Sequence, residues 1–445
     1  MGGVGDGMLK WALRITLSIL LLPVVAASVY AGWNWLQLRP DSKFVNYLEQ
    51  NASAIDLTAE TPFGIAQPDL DTRLILLGEV HGIRVGQDLD FELLRMLNEK
   101  TGARYYLGEF DPAQAAEFNA YLADGDENHL RRVFSFWVAE NAQWANAEFM
   151  AKIRKIKALN DALPVARKIS FIGMDRVQDM PLMAAHLGDI LASMPESSWP
   201  GHDALASVLE TDSARTENAA NAPLPLAAVE AAKTLSATAP EGIEPALWKS
   251  LREQIANLSD RALVKGREAA IAASFERLAA DPDFANEKLY GFWGQFHVLN
   301  ATVQGSKPFV RQLQEGNTAF AGNIVSLNII NLDSRMMLPA TSFGSKDPYI
   351  EIPYSLDHPL LVFVNGINDA SEAAVAPLTL FKMNAEGSPY PGTNKLGAVG
   401  GVLGMMQPFV VDAPSVGPDA SSQYVILAKG SAAVTPLTVA DVTID

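Results

Sequence analysis

Cysteine is absent from all 445 residues, which removes thiolate nucleophiles, Cys-ligated zinc, iron–sulfur clusters, lipid-modified cysteine and disulfides. Cations are scarce beside anions: 34 Lys and Arg face 51 Asp and Glu, a net charge of −17, and such a balance repels a phosphate backbone. Nucleic acid is therefore not an expected partner. No GxSxG elbow, HExxH pair, P-loop or GxGxxG turn occurs, so the usual serine hydrolase, zincin, NTPase and dinucleotide-binding readings have no support. DGDENH at Asp124–His129 lacks the later Glu of a calcium loop. Histidine is rare too, six in all, so the position of each carries information.

What is abundant is apolar residues, 49% of the chain, enough for a substantial core. The run Ile15–Trp33 carries no charge, and a helix of that length, at about 1.5 Å per residue, reaches across a bilayer core. Trp11, Tyr30, Trp33 and Trp35 sit near its ends as interfacial aromatics do. Lys10 and Arg14 precede it, a cytoplasmic flank that Arg39 and Lys43 partly offset. Residues 1–38 are thus expected to be a cytoplasmic tip and membrane anchor. The body would lie on the extracytoplasmic, periplasmic side of a single-pass membrane protein. A cleaved signal peptide is the alternative, with Ala26, Ala27, Ala31 and Gly32 as small residues for a cleavage site; either reading exports the body.

Beyond a helix-like piece at Phe44–Leu57, short apolar runs alternate with helical periodicity. Arg73–Glu79, Tyr105–Glu109 and Lys168–Met174 read as strands. Between them the Leu89, Leu93, Leu94, Leu97 stripe, Pro112–Leu122 and Trp144–Leu159 read as helices. This alternation predicts an α/β fold with a mostly parallel sheet and crossover helices. Residues from about 180 to 285 form a helical insertion with a long helical period over Leu247–Leu278. The sheet resumes at Leu289–Trp293 and Asn323–Ile330. The boundaries expected are 39–335 for the α/β domain and 336–445 for a loop-rich region packed on it. That region has short strands at Leu360–Val364 and Gln423–Leu427, the second completing the sheet edge.

Ligands of open parallel sheets collect at the carboxyl ends of the strands, and several polar residues stand there. Glu79 and His81 close the first strand in LLGEVHG; two residues apart in an extended chain, they share a side, and a carboxylate beside an imidazole suits a general base or a metal ligand. Glu109 ends the second strand, Asp175 and Arg176 the third, and His297 follows Leu289–Trp293. Arg84, Asn146, Glu148, Arg176 and Arg267 are further candidates for substrate contact in the same cleft. His129, His186, His202 and His358 are expected to be structural or exposed.

These motifs, in order over about residues 73–330, resemble the erythromycin-esterase-like group and its broader relatives, the ChaN-like haem-binding and TraB/TIKI-type proteins. LLGEVHG is similar to the family's opening motif, and YYLGEFDPAQAAEFNAYL to its second, Glu-bearing strand and helix. WANAEFMAKIRKIKALN, ISFIGMDR, KGREAAIAASFERLA and GFWGQFHVLNA resemble its later motifs. The resemblance implies an esterase-like hydrolase in which His81 activates water, Glu79 and Glu109 are its electrostatic partners and His297 polarises the carbonyl. The substrate would be a small-molecule or envelope-associated ester, with no cofactor. Two alternatives use the same residues. One is hydrolysis with a divalent metal on Glu79, His81 and His297, as the TIKI-type branch implies; the other is a non-catalytic haem or ligand module, as ChaN-like proteins imply. Two departures are visible: only Val80 separates Glu79 from His81, and Gly294 stands where the esterases carry a further His.

Overall fold

The computed structural model describes residues 4–216, 219–316, 318–340, 344–397, 399–402, 410–417 and 420–444, with side chains described for all of these except 4–20 and 215. Its strands are β1 (Ala52–Ala54), β2 (Leu74–Glu79), β3 (Tyr105–Gly108), β4 (Ser170–Gly173), β5 (Leu289–Gly294), β6 (Ile324–Leu332), β7 (Ser334–Pro339), β8 (Tyr349–Tyr354), β9 (Asp357–His358), β10 (Val362–Val364), β11 (Leu378–Lys382), β12 (Val399–Gly400) and β13 (Tyr424–Lys429). Eight of them form one sheet in the order β1-β11-β13-β6-β2-β5-β3-β4. From β13 to β4 every neighbour is parallel, and β11 runs antiparallel to both β13 and β1.

The apolar runs become strands because both faces of this sheet are covered, so alternation is not needed. In β2, Ile75 and Leu77 pack with the helices Arg84–Thr101, Pro112–Asp124, Glu127–Ala139 and Ala147–Ala162, whereas Leu74 and Leu76 pack with Arg267–Ala280 and Phe309–Glu315. Each such leucine contributes about 1.5–3 kcal/mol by burial. The chain leaves β2 for β3 and β4 on one side, returns through β5, and crosses to β6 on the other. β2 therefore lies at the point where strand order reverses, and a crevice opens beyond its carboxyl end.

The insertion is helical as expected, with its own apolar cluster around Met183, Leu187, Trp199, Trp248 and Leu251. Its long period is not one helix: Pro245–Leu263 ends where Val264 turns extended, and Arg267–Ala280 starts after Gly266, whose φ of 90° suits glycine. The expected helix Phe44–Leu57 is shorter, Ser42–Gln50, since Ala52–Ala54 is claimed by pairing with β11. The strand around Gln423–Leu427 is interior rather than at the edge, flanked by β6 and β11. The strand at Leu360–Val364 is β10 of a separate three-stranded sheet with β9 and β12.

The N-terminal helix runs Val4–Gln37 with Pro23 inside it. Its last turn docks on the body, Asn34 Nδ2 donating to the Pro359 carbonyl at 2.8 Å and Leu38 being buried just beyond. Among the described residues no helix is long and apolar enough to cross a membrane. The span expected over residues 15–33 lies partly outside the residues whose side chains are described.

Candidate active site

Four parallel strands deliver their carboxyl ends to one place. Glu79 is the last residue of β2, Glu109 follows β3, Asp175 lies two residues beyond β4, and His297 sits in the 3-10 turn Gln295–Val298 after β5. Arg267 reaches the same point from the first turn of its helix. A β-carbon built on Gly294, the last residue of β5, would lie 3.3 Å from His81 Nε2 and 3.4 Å from both Glu109 Oε2 and His297 Cδ2. The three side chains thus surround one small volume, which stays open because residue 294 has no side chain.

Within it, His81 Nδ1 lies 2.9 Å from Glu79 Oε1, and the imidazole rests edge-on against Trp144, centroids 4.8 Å apart. With Nδ1 held by a buried carboxylate, the tautomer that donates from Nδ1 is favoured and Nε2 is left as the basic atom. Burial depresses the His81 pKa, but the hydrogen bond to Glu79 and the charge of Glu109 outweigh it, and the net shift is upward from the ordinary value. Glu79 itself is buried against Gly86 in the first turn of Arg84–Thr101, where the positive end of the helix favours a carboxylate.

Glu109 Oε2 accepts from the Gly294 amide and Oε1 from Arg267 Nη2, each at 2.6 Å. Arg267 Nε is 3.0 and 3.1 Å from the Asp175 oxygens, and Nη2 reaches Oδ2 at 2.5 Å. Asp175 is fixed in turn by the Arg176 amide at 2.8 Å and Gln178 Nε2 at 2.7 Å. His297 Nε2 lies 3.4 Å from Glu109 Oε1 and 3.2 Å from Arg267 Nη1. Its Nδ1 is 2.7 Å from Glu268 Oε1, an ion-pair contact out of line for a hydrogen bond. Burial opposes a charge on His297, but Glu109 and then Glu268 prevail, and its pKa is pushed up to about 10. Glu109, for which burial works toward neutrality, is held well below the carboxylate range by His297, His81 and Arg267. The cluster is accordingly a fixed array of ions around a basic His81 nitrogen.

Glu79, His81, Glu109, Asp175, Arg267 and His297 are brought together; Arg176 touches this group through its backbone amide, and three other candidates lie elsewhere. Asn146 caps the helix Ala147–Ala162, its Oδ1 accepting from the Phe149 amide at 2.8 Å and its Nδ2 donating to the Gln143 carbonyl. Glu148 accepts from Thr435 N at 2.8 Å and so fastens the C-terminal segment. Arg84 is exposed and faces Asp88 at 3.7 Å. Sequence reasoning missed the Gly294 amide as a donor and Trp144 as the wall behind His81; backbone groups and packing partners leave no signal in residue type. Of the histidines set aside, His129 and His186 both pair with Glu117, at 2.6 and 2.9 Å.

Among the described residues no group of three or more His, Asp or Glu side chains is arranged to hold a metal ion. The set Glu79, His81, His297 does not fit one: His297 turns one nitrogen to Glu268 and the other toward the Arg267 guanidinium, which a dication there would face. For a haem, the large groove of about 1250 Å³ under the insertion offers no histidine ligand.

No family model and no characterised sequence matches the chain. Solved structures do. A succinoglycan biosynthesis protein superposes with a TM-score of 0.62 at 14% identity, covering 88% of this chain and 98% of its own. A Bacillus cereus protein gives 0.61 at 15%, covering 90% and 100%. A histidine-to-asparagine mutant of the erythromycin esterase EreC, in its open conformation, gives 0.53 at 15%, covering 83% and 94%. With the strand order and the polar strand ends already described, these likenesses show that the chain has the erythromycin-esterase-like fold.

Proposed function

We propose that the protein is a hydrolase of an ester or related acyl bond, with His81 as general base. The observation that carries this reading is the His81 ring itself: one nitrogen is bonded to buried Glu79 at 2.9 Å, and the other is directed at the open volume beside Gly294. A base oriented by a carboxylate and aimed at a cavity is the arrangement that proton abstraction from water requires. In the reaction, water gives its proton to His81 Nε2 as its oxygen bonds to the carbonyl carbon. The tetrahedral oxyanion is stabilised by the Arg267 and His297 cations. Collapse breaks the bond to the leaving oxygen, which takes the proton back from His81. Glu79 steadies the imidazolium between the two transfers.

His81→Ala is expected to lower turnover of an accepted ester by about 100-fold or more, the usual scale for a lost general base. Turnover in steady-state assays of the variant that matches the parent protein would overturn the assignment.

The N-terminal helix serves, in this reading, as a membrane anchor that keeps the body on the periplasmic side, near envelope-associated esters. Support comes from the charge-free run at 15–33 and from the exposure of Leu22, Val24, Val25, Val29 and Trp33 along the helix, apolar surface that water does not favour. Removal of residues 1–36 should move the protein from the membrane pellet to the soluble fraction; a parent chain already soluble after cell disruption defeats the anchor.

A further inference from the structure

We propose that the substrate carries an acidic group, a carboxylate or a phosphate, and that Arg176 receives it beside the ester-cleaving centre; this rests on the reading of the cleft as a hydrolase site. Arg176 is the residue after Asp175, on the segment beyond β4 that Asn257 of the insertion holds. Its side chain is only partly exposed, its Nε is buried, and that atom finds no hydrogen-bond partner. No ion pair compensates its guanidinium among the described residues, although 51 acidic side chains are available in the chain.

The acid closest at hand, Asp175, is already committed to Arg267. A second cation comes from the insertion. Asn257 of Pro245–Leu263 donates Nδ2 to the Asp175 carbonyl at 2.7 Å, so this helix turns its Asn257 face to the Asp175–Arg176 segment. Arg261, one turn further along, shares that face. Burial and then Arg261 push the Arg176 pKa down, with Arg267 adding to them and Asp175 opposing. A partly desolvated guanidinium set among other guanidinium groups is costly unless an anion joins it. Its planar fork matches carboxylate and phosphate oxygens.

The location ties this cation to the chemistry. Asp175 contacts Arg267, and Arg267 contacts His297 and Glu109, so Arg176 stands one residue from the charged array around His81. In this proposal the acidic group of the substrate is received at the segment next to the ester-cleaving centre, and a cationic substrate is disfavoured.

The test is binding by the full-length protein, measured calorimetrically with glutarate, inorganic phosphate and the neutral isostere glutaramide, in the parent chain and in Arg176→Gln and Arg176→Lys. Glutarate or phosphate is expected to bind at least about ten-fold more tightly than glutaramide. That preference should collapse in Arg176→Gln and return in part in Arg176→Lys, which also shows that the site is folded. Preference for glutarate assigns a carboxylate substrate and preference for phosphate a phosphorylated one. Equal binding of acid and amide by the parent, or a preference undiminished in Arg176→Gln, overturns the proposal. The same titrations in His81→Ala keep the two readings apart: anion binding that persists there while His81→Ala still hydrolyses esters would remove the general base and leave the anion subsite standing.

Discussion

Two buried charge clusters lie within the same sheet, and they differ in how completely they are satisfied. Behind the active-site crevice, Asp90 receives the Tyr290 hydroxyl at 2.6 Å, the Tyr106 hydroxyl at 2.7 Å and the Lys152 ammonium. Lys152 also lies over the rings of Phe149 and Phe292, at 4.1 and 4.5 Å. Both members are almost fully buried, and both carboxylate oxygens are in use. At the carboxyl ends of β2 to β5 the groups are as charged, yet His81 Nε2 faces open space and Glu79 Oε2 and Arg176 Nε have no hydrogen-bond partner. A void of about 10 Å³, lined by Glu79, Tyr106, Glu109 and Phe292, separates the two clusters. The closed cluster has no valence left for a substrate and fixes helices Arg84–Thr101 and Ala147–Ala162 to the sheet. The open one is available for chemistry.

The contrast is broken most severely at Lys152. Lys152→Met should lower unfolding free energy by about 3–5 kcal/mol, because Asp90 is left as an uncompensated buried charge. Lys152→Met with Asp90→Asn should recover a good part of it. Denaturant titration reads both, and a single variant as stable as the parent would show that the pair is not structural. At the open cluster, Glu79→Gln acts on rate and pH. The base works deprotonated, and the hydrogen bond to Glu79 raises the His81 pKa. In the parent, activity therefore rises with pH through a value above 6.5. In Glu79→Gln burial dominates, so that limb should move to lower pH while the plateau falls by about ten-fold. A pH–rate profile with an unmoved limb would detach Glu79 from the base. The smallest effect is expected at Asn146, where loss of the cap in Asn146→Ala should cost about 1 kcal/mol, again by denaturant titration.

Much of the site was legible because strand ends leave a mark. A short apolar run that stops at Gly-Glu or Gly-x-Asp announces both the strand and the polar residue at its carboxyl end, and Glu79, Glu109 and Asp175 were found that way. His81 was legible through its spacing from Glu79, since an extended chain puts residues two apart on one side. Lys152 and Asp90 were not, because along their helices they occupy positions that read as ordinary polar residues. Asn146 and Glu148 were expected in the cleft on the strength of residue type, but an N-cap and a tie to Thr435 use the same atoms.

By itself the sequence determined the alternation of strand and helix, the helical insertion, the acidic balance and the identity of the groups at the strand ends, since all of these follow from local pattern and composition. Which strands are neighbours was decided only in three dimensions. β5 slips between β2 and β3, and β13 enters beside β6, through pairings of residues far apart in the chain. The meeting of Glu109, Arg267 and His297 depends on that order, because a hydrogen bond of 2.6 Å cannot be read from a separation of 158 residues.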